Sequence, residues 1–486
     1  MFLNPGLEVS EELYTKCSCQ QCGTHIEFPI EADGVTINCP HCQQPIQLTL
    51  AAPTPEQPSG APSAADLVAA FGGPVANTPV SFFYQLGLVL VSVLMIVLPL
   101  VYLAMIAAAG YGVYLYATHF TFLVTSIEGG GRLYVVKLLA YITPLFVGAV
   151  LVFFMVKPLF ARRAPYAQPL AMNPALNPAL FALIAKICDT VGAPMPKRID
   201  LNCDLNAAAG FRRGAFSLFG NDLVLTIGLP LVAGLSLRQF AGVMAHEFGH
   251  FTQGFGMRLS YVIRSINAWF ARVVFERDAW DVALTQWAEE TEDWRVAIVI
   301  NSARLGVWFS RFLLRLLMLT GHGVSCFLLR QMEYDADSYE IKLAGSETFE
   351  RSVKRLRVLA EALGRSYKEM RVAWNKNHRL PDDFPAYLLQ QEAALSPERR
   401  TGIEDRVGLA TTGLFDTHPS DGDRIRRARQ AGEPGVFHLV QPATMLFANF
   451  EAVAKQVTLL HYTDDIGLYC EPTDLWPVNP TPALQS

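Results

Sequence analysis

Between Asp66 and Glu128 the chain carries no charged side chain, and within that interval Phe82 to about Tyr116 is strongly apolar. This run exceeds the ~20 residues that a helix needs to cross a bilayer. Leu138 to Val156, bracketed by Lys137 and Lys157, repeats the pattern with aromatic residues near its ends. The two runs predict a transmembrane helical hairpin. The intervening YGVYLYATHFTFLVTSI holds enough Thr and His to read as exposed or interfacial rather than as a further span.

Beyond the second run the pattern changes. ALFALIAKICDTVGAPMPKRID predicts a helix, a Gly/Pro turn and the start of a strand. Leu201 to Gly210 reads as an extended edge and Asp222 to Gly228 as a second strand. Helical spacing comes next at Phe240, Val243, Met244, Phe248 and Phe251, after a capping box at Ser236-Leu237-Arg238-Gln239. MRLSYVIRSINAWFARVVF predicts an amphipathic helix, and Phe349 to Met370 and Leu388 to Ala394 predict two more. Val296 to Leu329 is apolar but broken by Arg304, Arg311 and Arg315, and a central Arg is costly in lipid. Helices lying in the interface or packed over the hairpin fit that run, with His322 as a satisfied packing residue.

Composition supports a membrane protein: of 486 residues, 51% are hydrophobic and 17% charged, with a mean hydropathy of +0.25. A net charge of −5 argues against a nucleic-acid partner. Lys157, Arg162 and Arg163 come directly after the second span, whereas the hairpin loop offers little beyond Arg132. This asymmetry places the chain beyond residue 157 in the cytoplasm, and two spans then place the N-terminus there too. MFLNPGLEVS lacks the pattern of a cleaved signal peptide.

Of nine cysteines, five fall in the first 42 residues. Cys19, Cys22, Cys39 and Cys42 have the C-x2-C…C-x2-C spacing of a zinc ribbon, in which two hairpin turns place four thiolates around one Zn²⁺. Cys17 is an alternative to Cys19 with poorer spacing. Lys16 is the segment's only basic residue beside Glu8, Glu11, Glu12, Glu27, Glu31 and Asp33, so a protein partner or a structural role suits it better than nucleic acid. The scattered Cys188, Cys203, Cys326 and Cys470 read as buried thiols.

The chemistry centres on His246-Glu247-Phe248-Gly249-His250. Histidines four apart share one helix face and can grip one Zn²⁺, while the Glu between them reaches a water bound to the ion. A third protein ligand is required. Gln253 and Gly256 exclude a third histidine in HExxHxxGxxH spacing. Glu333-Tyr334-Asp335-Ala336-Asp337 supplies the better candidate: Glu333 binds zinc, and Asp337, one turn on, bonds the far nitrogen of His246.

HEFGH, EYDAD and Thr417-His418-Pro419-Ser420 with Arg424-Ile425 together resemble the HtpX and CAAX prenyl endopeptidase family of membrane-embedded zinc metallopeptidases. The likeness runs from the hairpin to about residue 430 and includes Asn206-Ala207-Ala208-Ala209-Gly210. The resemblance implies that His418 stabilises the tetrahedral intermediate and that Asn206 contacts substrate. The residues alone also allow His418 as a helix cap and Asn206 as a turn residue. The Arg424, Arg426, Arg427, Arg429 cluster reads as a solvated face, or alternatively as a lipid-headgroup patch. The acidic ribbon lies outside the family's usual layout.

The expected fold is α+β and mainly helical. In order along the chain come a zinc ribbon (1–50), a Pro/Ala-rich linker (51–80), the transmembrane hairpin (81–163), a zincin-like metallopeptidase domain with a small strand element (164–435) and an extension of unread role (436–486). The expected function is a multi-pass inner-membrane zinc endopeptidase with one catalytic and one structural zinc. It acts on membrane-associated or misfolded proteins, in quality control, with ribbon and catalytic domain in the cytoplasm. The alternative is a catalytically silent, membrane-anchored scaffold whose ribbon recruits partners.

Overall fold

The computed structural model describes residues 14–18, 25–29, 32, 35–47, 62–76, 82–125, 131–160, 169–211, 222–252, 255–277, 279–290 and 293–478. Two compact units divide the chain, Met1–Ala61 and Pro62–Ser486.

In the first unit, β1 (Tyr14–Ser18) pairs antiparallel with β2 (His25–Pro29), and β3 (Thr36–Asn38) with β4 (Pro45–Gln47). Cys39 and Cys42 lie in the turn from β3 to β4. There the Cys39 N–H donates to the Gln44 carbonyl and the Gln43 N–H to the Cys39 carbonyl. Gln43 takes a left-handed φ of 60° to close that turn. The other two expected ribbon ligands, Cys19 and Cys22, lie outside the described residues.

The second unit is mainly helical. After α1 (Ala64–Ala69) come α2 (Phe82–His119), the single turn α3 (Phe122–Thr125) and α4 (Arg132–Val156). The segment expected to be exposed or interfacial continues α2 as far as His119 with its side chains exposed or half-buried, and Tyr116 and Tyr141 each donate a hydroxyl hydrogen bond to the facing helix's backbone. These tyrosines therefore serve helix-to-helix contacts.

A four-stranded sheet comes next, made of β5 (Leu170–Ala171), β6 (Arg198–Asn202), β7 (Ala207–Phe211) and β8 (Leu223–Gly228), in the order β5-β6-β8-β7. β6 and β8 are parallel, and β7 runs antiparallel to β8 at the edge. The single extended run expected over Leu201–Gly210 is thus two strands joined by a turn. Gly228 is what admits that turn: a Cβ there would collide with the Asp204 carbonyl oxygen, while the Gly228 N–H donates to the Asn206 carbonyl at 2.9 Å. α5 (Pro178–Val191) lays Leu180, Leu183, Ile184, Ile187 and Val191 into the core that also buries Ile199, Leu225 and Ile227 of the sheet.

After α6 (Leu229–Gly234), α7 (Leu237–Gly249) carries the HEFGH motif, and its capping box forms as the sequence predicts, between Ser236 and Gln239. Leu237, Phe240, Met244 and Phe248 sink into the same core, while Val243 and Phe251 are half-buried. Next come α8 (Phe255–Phe275), α9 (Ala279–Glu290) and α10 (Trp294–Ala344). α10 has 51 residues, about 77 Å of helix at about 1.5 Å per residue. It carries both the Arg-broken apolar run and EYDAD without interruption.

α2, α8 and α10 share a second core with the end of α4. In it the Tyr102 hydroxyl donates to the Met155 carbonyl at 2.8 Å and lies 2.8 Å from the Ser310 hydroxyl. Among the described residues three helices are long and apolar enough to cross a membrane: Phe82–Thr125, Arg132–Phe160 and Val296–Ala344. The last lies outside the expected hairpin, and within it Arg311 donates to Asp281 and to the Glu276 carbonyl.

α11 (Ser346–Asn377), β9 (Leu380–Pro381), α12 (Phe384–Ala393), α13 (Pro397–Leu409), α14 (Asp421–Ala431), α15 (Phe450–Leu460) and β10 (Leu475–Trp476) complete the unit. Beyond residue 435 the chain packs back into the main core through Phe437, Ala454, Val457 and Tyr462, and β10 pairs parallel with β9.

Candidate metal centre and active site

α7 and α10 cross where both carry little bulk. A Cβ on Gly242 would lie 2.9 Å from the Ala344 Cβ, and one on Gly249 would lie 3.2 Å from the Ala336 Cα. This close approach brings Glu333 to the histidines. His246 Nε2 is 3.6 Å from one Glu333 carboxylate oxygen, and His250 Nε2 is 3.8 Å from the other. All three residues offer ligand atoms within 4.8 Å of one another. Ligand bonds of about 2.0–2.1 Å in a tetrahedron put donor atoms roughly 3.3 Å apart. The three residues are thus close enough to converge on one small ion. Two imidazoles and a carboxylate also suit zinc chemically.

Behind this group lies a second layer. Asp337 Oδ1 sits 3.0 Å from His246 Nδ1, close but without the alignment of a full hydrogen bond. Arg424 grips Asp337 with two hydrogen bonds, 2.8 and 2.5 Å long, and its guanidinium lies over the Phe349 ring. Asp337 and Glu340 are both buried, and with His246 they form a second group of ligand atoms within 4.8 Å of one another. Arg264 of α8 donates to Glu333 Oε1 at 2.9 Å.

The electrostatics come from crowding. Burial alone would lower the His246 pKa, but the carboxylates of Asp337 and Glu333 outweigh it and push it up to about 10. Burial holds His250 well below the usual imidazole value, with the His246 charge adding to the effect. Burial raises Glu247, opposed by the positive charges of His246 and Arg264 and by a hydrogen bond from the Ala209 backbone N–H. That last contact puts β7, the edge strand, against the carboxylate between the two histidines.

His418 joins the group: its Nδ1 lies 3.5 Å from Glu333 Oε2 and its side chain is 71% exposed. It is not the helix cap, since the Ser420 hydroxyl caps α14 by accepting from the Asp423 N–H. Asn206 is exposed immediately before β7, and its carbonyl accepts from Gly228. Three of the four arginines of α14, Arg426, Arg427 and Arg429, form the exposed face expected of them, and each also has a partner there: Arg427 stacks on Tyr334 with its guanidinium carbon 4.0 Å from the ring centroid, Arg429 pairs with Glu350, and Arg426 bonds Asp423. Arg424 departs from that face, half-buried on Asp337. Their partners lie on other elements or are set by a cap, which helical spacing alone does not reveal. Arg264 was legible only as one of a row of arginines, and Glu340 only as EYDAD continued by one turn.

Residues 174–431, more than half of the chain, match the family model of peptidase family M48. The chain belongs to that family. The protease HtpX of Acinetobacter baylyi is 23% identical over 268 residues, which cover 52% of this chain and 72% of that protein. No solved structure matches.

Proposed function

We propose that the chain is a membrane-embedded, zinc-dependent endopeptidase acting on peptide bonds of membrane-associated or misfolded proteins at the cytoplasmic face. The observation that carries this reading is the meeting of His246, His250 and Glu333, from α7 and α10, at distances one ion can bridge. Zinc held there would supply Lewis acidity, lowering the pKa of a bound water and polarising the scissile carbonyl. Glu247, on the same helix turn, takes the proton of the attacking water and passes it to the leaving amine. Its raised pKa suits that exchange. His418, exposed and 3.5 Å from Glu333, is placed to donate to the oxyanion. β7, the edge strand among the described residues, offers its outer edge to an extended peptide beside Glu247, with Asn206 at its start.

Asp337 orients His246 and is itself fixed by Arg424. The bilayer holds α2 and α4, and sidedness rests on Lys157, Arg162 and Arg163 against Arg132. His250 and Glu333 meet at one ion, so crossings between them come in pairs; if α10 enters the bilayer, α8 and α9 make the return traverse. The N-terminal unit takes a second zinc on Cys19, Cys22, Cys39 and Cys42.

A Glu247→Gln variant tests the assignment. It is expected to keep its zinc and lose cleavage by about 10²–10⁴-fold. Undiminished cleavage in that variant would overturn the peptidase reading in favour of a silent scaffold or a different base.

A further inference from the structure

The loop between α13 and α14, Ala410 to Ser420, returns to the metal centre at His418. Its tip, however, lies elsewhere. Leu414 and Phe415 are 76% and 64% exposed. Their backbone lies on α10 at His322 and Cys326, seven to eleven residues before Glu333, or roughly 10–16 Å along the helix. That part of α10 is the apolar stretch of a candidate membrane span, and Phe327, 66% exposed, lies on it as well.

Two exposed apolar side chains on a loop would be ordinary on any soluble surface. The backbone beneath them is different. Three consecutive carbonyls at the tip are taken by polar side chains of α10. Arg330 donates to Gly413 at 2.7 Å and to Leu414 at 3.0 Å, His322 Nε2 lies 2.7 Å from the Phe415 carbonyl, and the Cys326 thiol approaches the Leu414 carbonyl at 3.8 Å. The Asp416 carboxylate accepts from the Gly413 N–H at 2.7 Å. Irregular backbone survives at membrane depth only where its polar groups are satisfied by protein, since hydrocarbon offers no partner. Here an apolar helix devotes a His and an Arg to capping a loop whose side chains point outward.

We infer that Leu414 and Phe415 form a finger inserted into the acyl region of the cytoplasmic leaflet, with α10 satisfying its backbone. The inserted tip sets the height of His418 above the bilayer, three residues on from Phe415. This rests on the bilayer placement proposed above and not on the zinc assignment. The occupant of the apolar surface is lipid, because the Phe415 ring lies over Gly323 of α10, on the helix stripe that also carries the exposed apolar side chains of Leu319 and Phe327.

The test places a photoreactive benzoylphenylalanine at position 415 of the full chain in phosphatidylcholine/phosphatidylglycerol nanodiscs. Leu90 on α2 is the lipid-facing control, and Val372, exposed on α11, the aqueous one. After irradiation, intact mass should show phospholipid adducts at 415 and 90 and none at 372. Labelling at 90 without labelling at 415 overturns the inference and leaves the bilayer reading standing; labelling at neither overturns both. A Leu414→Glu/Phe415→Glu variant should lose about tenfold in cleavage of a membrane-embedded substrate in the same discs, while keeping cleavage of a short soluble peptide in detergent. Equal loss in both assays would place the pair at the catalytic centre and overturn the finger.

Discussion

His246 is held by a chain of charges that ends outside the metal centre. Its Nδ1 faces Asp337, and Asp337 is clamped by Arg424. Removing the guanidinium would strand a buried carboxylate beside the imidazole. Substituting Arg424→Met is therefore expected to lower zinc affinity by about 10–100-fold without touching a ligand, measured by competition with a chromogenic chelator. Unchanged affinity would show that Asp337 needs no anchor. Protonation gives a second residue-scale prediction. With its pKa pushed up to about 10, metal-free His246 is protonated at neutral pH, whereas His250 is already neutral. Zinc needs the free nitrogen of each ring, so binding should release about one proton, and affinity should rise about tenfold per pH unit until pH nears 10. Calorimetry in buffers of different ionisation enthalpy reads that proton; no release would contradict the His246 environment. That His246, His250 and Glu333 would meet was legible because HExxH followed by a later ExxxD is the pattern expected of a metal-binding helix pair. Arg424 and Arg264 were not, since nothing in local sequence says that an arginine on one element will meet a carboxylate far away on another.

At the scale of elements, the crossing of α7 and α10 decides whether Glu333 arrives. Gly249 sits inside the motif. Alanine there would gain up to about 1 kcal/mol in helix propensity, but its Cβ would press on Ala336 and Tyr339, and overpacking of this kind costs about 1–3 kcal/mol. The packing cost should win. Gly249→Ala is expected to reduce zinc affinity at least about tenfold while helix content by circular dichroism stays the same; an unaltered affinity would show that α10 can yield. The sequence signalled α7 well, from cap to buried face. It understated α2 and α10, because Tyr and Thr in one and Arg in the other look like reasons to stop a helix. Tyr116, Tyr141 and Arg311 instead find partners across the bundle, at Ala140, Ala117, Asp281 and Glu276. The turn between β6 and β7 was equally hidden, since it depends on Gly228, a residue of the facing strand.

At the scale of the molecule, the N-terminal unit is compact by itself. In the function proposed above it holds a zinc of its own and takes no part in the chemistry. Deleting 1–61 should thus reduce bound zinc from about two to about one per chain and spare cleavage of a generic peptide; loss of all metal would tie the units together. In that same proposal, catalysis depends on two distant helices sharing one ion. Zinc K-edge absorption on the full chain, with Cys19, Cys22, Cys39 and Cys42 changed to serine, would report that site alone. The expected spectrum has two imidazoles at about 2.0–2.1 Å, carboxylate oxygen at about 2.0–2.2 Å and no sulfur, with loss of the metal in Glu333→Ala. A sulfur shell, a single imidazole, or zinc retained unchanged in Glu333→Ala would contradict it.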